Sequence, residues 1–223
     1  MKRLEDHESF EMALLQWLNS KRLLGSLVFG GGTMLRLCHE LPRYSLDMDF
    51  WFLKETDFAV FYNRLTDALA QEHDVTDAEN KYYSLLFEIR RTRGTPRLKI
   101  EMRKKLAPLG SSEEKIAFSP HFPTQVLVRG FTLKQMFQNK VQALMDRGEI
   151  RDAFDLEFLA RKGVPLALDE EQREKVLGRL KGFKKRDFDV KLGSILVPEL
   201  RDYYRKNRFR YLEEKLQFQN WET

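Results

Sequence analysis

Two aspartates spaced for joint chemistry stand in Asp47-Met48-Asp49, at the head of the apolar run Phe50-Trp51-Phe52. Residues two apart on a strand point to the same face, so the two carboxylates project together. Left alone they repel. A divalent cation removes the repulsion, and hard oxygen donors suit magnesium, or manganese, bound through one or two carboxylates plus substrate phosphates. Fourteen residues before Asp47 ends the patch Gly30-Gly31-Gly32-Thr33, where a strand pattern (residues 26–29) gives way to a helical one (residues 33–40). Glycines there let the backbone approach a phosphate, the helix N-terminus offers unpaired N–H groups, and Thr33 adds a hydroxyl. The patch has neither the Gly-Lys-Ser/Thr ending of a Walker loop nor the spacing of a dinucleotide fingerprint. Glycine at such a turn also serves purely steric ends. Glu101, in Leu98-Lys99-Ile100-Glu101-Met102, alternates away from the apolar face. It is the candidate third carboxylate if its strand pairs beside residues 48–53.

A lysine stands on the inward stripe of a later helix. Residues 132–146 place Leu133, Met136, Phe137, Val141 and Leu144 in phase, and Lys140 falls three after Phe137. An inward lysine snorkels, pairs or serves a phosphate. In the next helix Asp152 and Asp155 share a face with Leu159, which suggests buried pairing with Lys140, Arg147 or Arg151.

The elements that must position these residues fall into two groups. Apolar periodicity predicts helices over residues 5–19 and 56–71, and strands over 26–29, 48–53, 82–91 and 97–103. Residues 105–124 carry Pro, Gly and Ser without clear period and read as a loop, followed by a short strand before Phe131. Helices are predicted over 132–146, 150–162, 169–181 and 197–216, with a further piece near 186–194. The fold class is α+β: a mixed sheet with helices over residues 1–130, then a helical part over residues 131–223.

Composition narrows the partners. The chain has 223 residues, 42% hydrophobic and 12% aromatic, enough for a packed core. One cysteine excludes an internal disulfide, and four scattered histidines show no metal-ligand spacing. The opening MKRLEDHESF lacks the apolar run of a secretory leader, and no window suits a membrane span, so the expected address is a reducing cytoplasm. The net charge of +5 hides an asymmetry: residues 1–80 carry 8 basic and 14 acidic side chains, residues 81–223 carry 31 and 20. Nine of the basic residues lie in residues 81–105, among Tyr82, Tyr83 and Phe87. Arg90, Arg91 and Arg93 are the candidate RNA contacts. Basic surface interleaved with aromatics suits an RNA end.

Taken together, Gly31-Gly32-Thr33, Leu41-Pro42-Arg43-Tyr44-Ser45-Leu46-Asp47-Met48-Asp49-Phe50, and Lys140-Val141-Gln142-Ala143-Leu144 followed by Arg147, Arg151-Asp152 and Asp155-Leu156 resemble the AbiEii/AbiGii-type nucleotidyltransferase toxins. These belong to the DNA polymerase beta-like nucleotidyltransferase superfamily. The resemblance covers roughly residues 25–160. It implies a nucleotidyltransferase-like fold for the N-terminal sheet. It implies that Gly31, Gly32 and Thr33 hold the triphosphate of an NTP, with Arg43 and Ser45 touching phosphate, and that Asp47 and Asp49 bind metal with Glu101 as third carboxylate. Lys140 would lie near the phosphates and Asp152 would form the downstream acidic motif. The implied activity is metal-dependent transfer of a nucleotide from an NTP to an acceptor hydroxyl, with a tRNA 3′ end as the leading acceptor and an antitoxin protein as partner. Nucleotidylation of a protein, and a nucleotide- or RNA-binding module with little turnover, are the competing readings.

Overall fold

The computed structural model describes residues 1–218. Its backbone divides into two units: Met1–Glu40 with Tyr44–Thr132, and Leu41–Arg43 with Leu133–Thr223. Leu41–Arg43 thus groups with the second unit, apart from its neighbours in the chain.

The first unit contains α1 (Lys2–Ser20), β1 (Leu27–Gly30), α2 (Gly31–His39), β2 (Asp47–Phe52), α3 (Phe58–Glu72), β3 (Asp74–Asn80), β4 (Ser84–Arg90), β5 (Leu98–Leu106), β6 (Ser112–Ala117) and β7 (Val126–Phe131). The strands form one mixed sheet in the order β3-β4-β5-β2-β1-β7-β6. Period-two patterning decides its faces. On β2, Met48, Phe50 and Phe52 are fully buried, and opposite them on β5 lie Ile100 and Met102, also buried. The helix α3 packs on this side: Phe58 and Phe61 meet Phe52 edge-on, and Tyr62 stacks on Phe87. Asp57 caps α3 by accepting from the N–H groups of Ala59 and Val60, both at 3.0 Å. The other side of β2 and β5 carries Asp47, Asp49, Trp51, Lys99, Glu101 and Arg103.

In this unit three expectations need correction. Residues 105–124 are not one loop: β5 runs on to Leu106, and β6 pairs antiparallel with β7. Residues 74–80, given no element from sequence, form β3, paired antiparallel with β4. Both β3 and β6 are sheet edges rich in polar and charged residues, which suppresses the hydrophobic alternation that marks inner strands. The glycine run also does not precede the helix, since Gly30 ends β1 while Gly31 and Gly32 form the first turn of α2.

The second unit contains α4 (Leu133–Arg147), α5 (Ile150–Arg161), α6 (Glu170–Gly182), a π-helical turn at Asp187–Leu192, α7 (Pro198–Asn207) and α8 (Arg210–Phe218). Helix α6 begins with a capping box, Asp169 and Gln172 each bonding the other's backbone N–H. The single helix expected over 197–216 is two helices. The chain breaks at Arg208, with φ of +50°, and Phe209 inserts fully buried against Phe183, Phe188 and Tyr204. Glu157 on α5 is buried too, accepting from Arg161, the Tyr204 hydroxyl and the Leu212 N–H.

Candidate active site

The site begins with strand register. In the parallel β2–β5 pair Asp49 lies opposite Glu101 and Asp47 opposite Lys99. In the antiparallel β1–β2 pair Asp49 lies opposite Gly30. One row of the sheet therefore reads Glu101, Asp49, Gly30, and the next residue is the first of α2. Directly paired residues share a face, so Asp47, Asp49 and Glu101 project from the same side.

Gly31 makes this arrangement possible. Its φ is +72°, a conformation that L side chains rarely adopt, and a Cβ built there would stand 2.2 Å from Asp49 Oδ2. The carboxylate of Asp49 thus rests on the bare Cα at the start of α2, where helix N–H groups and their partial positive charge face it. Thr33 is fully buried and donates its hydroxyl to the Asp47 carbonyl at 2.6 Å. That hydroxyl ties α2 to β2 and fixes the backbone that carries the aspartates. His7 on α1 acts on the same backbone from another element: its Nε2 lies 3.1 Å from the Leu46 carbonyl, one residue before Asp47, and 3.6 Å from Glu11 Oε1. Burial lowers the pKa of His7 despite the Leu46 bond and the nearby Asp47 charge. Nothing in the sequence pattern marks His7 as a partner of this site, since 39 residues separate it from Leu46.

The donor set fits a divalent ion shared with substrate phosphates, a mode that asks for only one or two protein carboxylates. Asp47 and Asp49 meet that requirement. Glu101 is engaged by Lys99 Nζ at 3.3 Å, and among the described residues no group of three His, Cys, Asp or Glu is arranged to hold a metal ion. Cys38 offers no thiolate ligand, because burial pushes its thiol up to about 12.

In the second unit the expected residues meet in a buried charge network. Arg43 is 2% exposed and forks onto Asp155, Nε to Oδ1 at 2.6 Å and Nη2 to Oδ2 at 2.7 Å. Lys140, also buried, reaches Asp155 Oδ2 at 2.7 Å and Asp152 Oδ1 at 3.2 Å. Arg147 closes the chain by forking onto Asp152 at 2.7 and 2.8 Å. Burial works to raise the pKa of Asp152, but the Arg147 bonds and the Lys140 charge outweigh it and hold the carboxyl below its ordinary value. Arg43, Lys140 and Arg147 share the carboxylates of Asp152 and Asp155. The guanidinium of Arg43 is thus bound to a carboxylate inside the protein. Its pairing with Asp155, 112 residues away, is beyond the reach of spacing arguments. Ser45, two residues further on, is half-buried.

The basic residues 90–93 lie at one end of β4. Arg90 lines a cleft of about 680 Å³ with Lys2, Arg3, Asp6 and Arg97. Arg91 sits over the Phe10 ring at 5.2 Å, and Arg93 is exposed. Arg90 is four residues along β4 from Leu86, which pairs with Glu101. The structure therefore sets this cluster about 13 Å along the sheet from the carboxylate row.

The model of the family described as nucleotidyl transferase AbiEii toxin, type IV TA system, matches residues 13–220. Among solved structures, JHP933 from Helicobacter pylori is similar at 22% identity, with a TM-score of 0.53 over 95% of this chain and 94% of that one. The nucleotidyltransferase toxin MenT4 of Mycobacterium tuberculosis is similar at 18% identity, with a TM-score of 0.51 over 96% and 91% of the two chains. An antigenic nucleotidyltransferase-like protein from Paracoccidioides brasiliensis follows at 14% identity, with a TM-score of 0.52 over 86% and 94%. At these identities the likeness is one of fold. No curated protein matches the sequence. No helix among the described residues is long and apolar enough to cross a membrane. With a match that spans nearly the whole chain, including the glycine turn, the paired aspartates and the helix lysine, the protein belongs to the AbiEii family of nucleotidyltransferase toxins from type IV toxin–antitoxin systems.

Proposed function

We propose that the chain moves a nucleotidyl group from an NTP to an acceptor hydroxyl of RNA, with a tRNA 3′ end as the favoured acceptor, in a magnesium- or manganese-dependent reaction. One observation supports this most: the Asp49 carboxylate rests on Gly31, so the residues suited to a cation and the turn suited to phosphate form one site. Asp47 and Asp49 would hold the ion, which when bound supplies charge to neutralise the triphosphate and to stabilise the pentavalent phosphorus. The chain's own part is positioning and electrostatics. The first turn of α2, Gly31 to Thr33, presents backbone N–H groups to phosphate oxygens. Thr33 and His7 hold the backbone of residues 46–47 and so aim the aspartates. Glu101 faces the acceptor hydroxyl. That oxygen bonds to the α-phosphorus, its proton passes to water or a carboxylate of the row, and pyrophosphate departs with the electrons of the broken P–O bond. Lys140, steadied by Asp152, is assigned to the departing charge, and Arg43 and Ser45 to ordering the segment before Asp47. The basic groups at Arg90, Arg91 and Arg93 favour a polyanionic acceptor. The toxin family implies an antitoxin as second partner.

The test is a transfer assay with each labelled NTP, total tRNA and magnesium, beside Asp49→Ala. Label on RNA that needs Asp49 is the expected result. Label on a protein band instead would replace the RNA acceptor with a protein one. Nucleotide binding without transfer to any acceptor would reduce the chain to a binding module.

A further inference from the structure

Two tyrosines stand almost bare at the tip of the β3–β4 hairpin. Tyr82 is 84% exposed and Tyr83 79%, in a protein that buries most of its aromatic residues. Their rings pack edge to face, centroids 4.6 Å apart, so two ring surfaces at right angles remain open. The tip is held rather than loose. Lys81 N–H donates to the Ser84 carbonyl at 2.9 Å, and Lys104 N–H to the Tyr83 carbonyl at 3.0 Å. The Lys104 ammonium also donates to the Lys81 carbonyl.

A bulge in the neighbouring strand supplies that lysine. Between Trp51–Phe52 on β2 and their partners Arg103 and Leu106, β5 carries two extra residues, Lys104 and Lys105. Bulges re-aim side chains, and here the insertion brings the Lys104 ammonium to the tip and leaves Lys105, next in the chain, exposed. Arg103, exposed and lying over the Trp51 ring at 5.1 Å, pairs across the sheet with Ser84. Arg103 is two residues from Glu101 on the same face, about 7 Å along the strand, and the tyrosines of the tip lie a further one and two residues beyond its partner Ser84, about 10–13 Å from the carboxylate row.

We infer that the Tyr82–Tyr83 tip, with Arg103 and Lys105, is the platform on which unpaired bases of the RNA acceptor stack while its phosphates follow the β5 cations. Every base has a π-face, and paired aromatics beside basic groups are how single strands are gripped without reading sequence. A strand running along β5 from the tip toward Glu101 passes Arg103 and Trp51, which gives the platform its orientation. The inference rests on the RNA-acceptor reading above but concerns a different face of it, and two readouts keep them apart.

Binding of a fluorescent single-stranded RNA oligonucleotide is measured by anisotropy over a range of salt, alongside label transfer to tRNA. Tyr82→Ala/Tyr83→Ala should weaken RNA binding by about tenfold or more, while Tyr82→Phe/Tyr83→Phe stays within about twofold of wild type, because the ring rather than the hydroxyl stacks. Lys105→Gln should lower the salt slope by about 0.7. The KM for NTP should not move in any of these variants. If the alanine pair binds RNA like wild type while wild type transfers label to tRNA, the platform is overturned and the transferase reading stands. If wild type binds RNA through the tyrosines but labels no RNA, the platform stands and the acceptor assignment falls. If wild type does not bind the oligonucleotide, the platform is overturned.

Discussion

At the scale of single residues, the site depends on what Gly31 lacks. Gly31→Ala would place a methyl 2.2 Å from Asp49 Oδ2 at a φ of +72°. The left-handed backbone costs an L residue about 1–2 kcal/mol, and the carboxylate must also move. The variant should therefore lose both stability and transfer. Asp49→Ala should lose transfer alone, because removing one of two like charges relieves repulsion. Combining the two substitutions should recover part of the lost melting temperature and none of the activity. Thermal melts read beside the transfer assay check this, and a Gly31→Ala protein as active as wild type would separate the glycine turn from the aspartates.

At the scale of elements, α4 and α5 are joined by charge as much as by apolar packing. Asp155 is fully buried and shared by Arg43 and Lys140. Asp155→Ala takes the bidentate carboxylate from Arg43 and leaves Lys140 with Asp152, and should cost about 3–5 kcal/mol, seen as a lower denaturant midpoint. Lys140→Ala should cost less, since Asp152 keeps Arg147 and Asp155 keeps Arg43. If Lys140 serves phosphate, its alanine variant loses turnover out of proportion to its stability; equal losses would make the lysine purely structural. Much of this was legible in the sequence. The apolar spacing of residues 133–144 put Lys140 inward, Asp152 and Asp155 shared a face, and alternation put Glu101 on the side of Asp47 and Asp49. What escaped has physical reasons. The edge strands β3 and β6 are charged against aggregation and so lack alternation. The Arg43–Asp155 and His7–Leu46 bonds join residues far apart in sequence, where no periodicity reports a contact. The break at Arg208 follows from burial of Phe209, a tertiary preference that outweighs a continuous helical pattern.

At the scale of the whole molecule, the buried ionisable groups set how stability follows pH, and they do not all point one way. His7 has its pKa lowered by burial, so the unfolded chain takes up a proton first. Its share of stability is present above the ordinary value of 6.5 and drains as pH falls below it. Asp152 is also lowered, through Arg147 and Lys140 acting against burial. Its share is full above the ordinary 3.8 and is lost as pH falls through the depressed native value. Glu157 runs the other way. Burial raises it in spite of Arg161 and Tyr204, so its contribution is present below the ordinary 4.5 and is lost as pH rises through the raised native value. Melting temperature followed from about pH 8 to about pH 3 should decline in two acid stages, the first near the histidine range and the second below the carboxylate range. His7→Gln, which can still donate to the Leu46 carbonyl, should shrink the first stage, which His73, also lowered by burial, shares, and leave the second. Glu157→Gln should remove the loss of stability that sets in as pH rises above the ordinary carboxylate value. An acid profile unchanged by His7→Gln would show that the imidazole is neutral in neither a costly nor a protected place, and that its bond to the backbone before Asp47 carries no proton-linked energy.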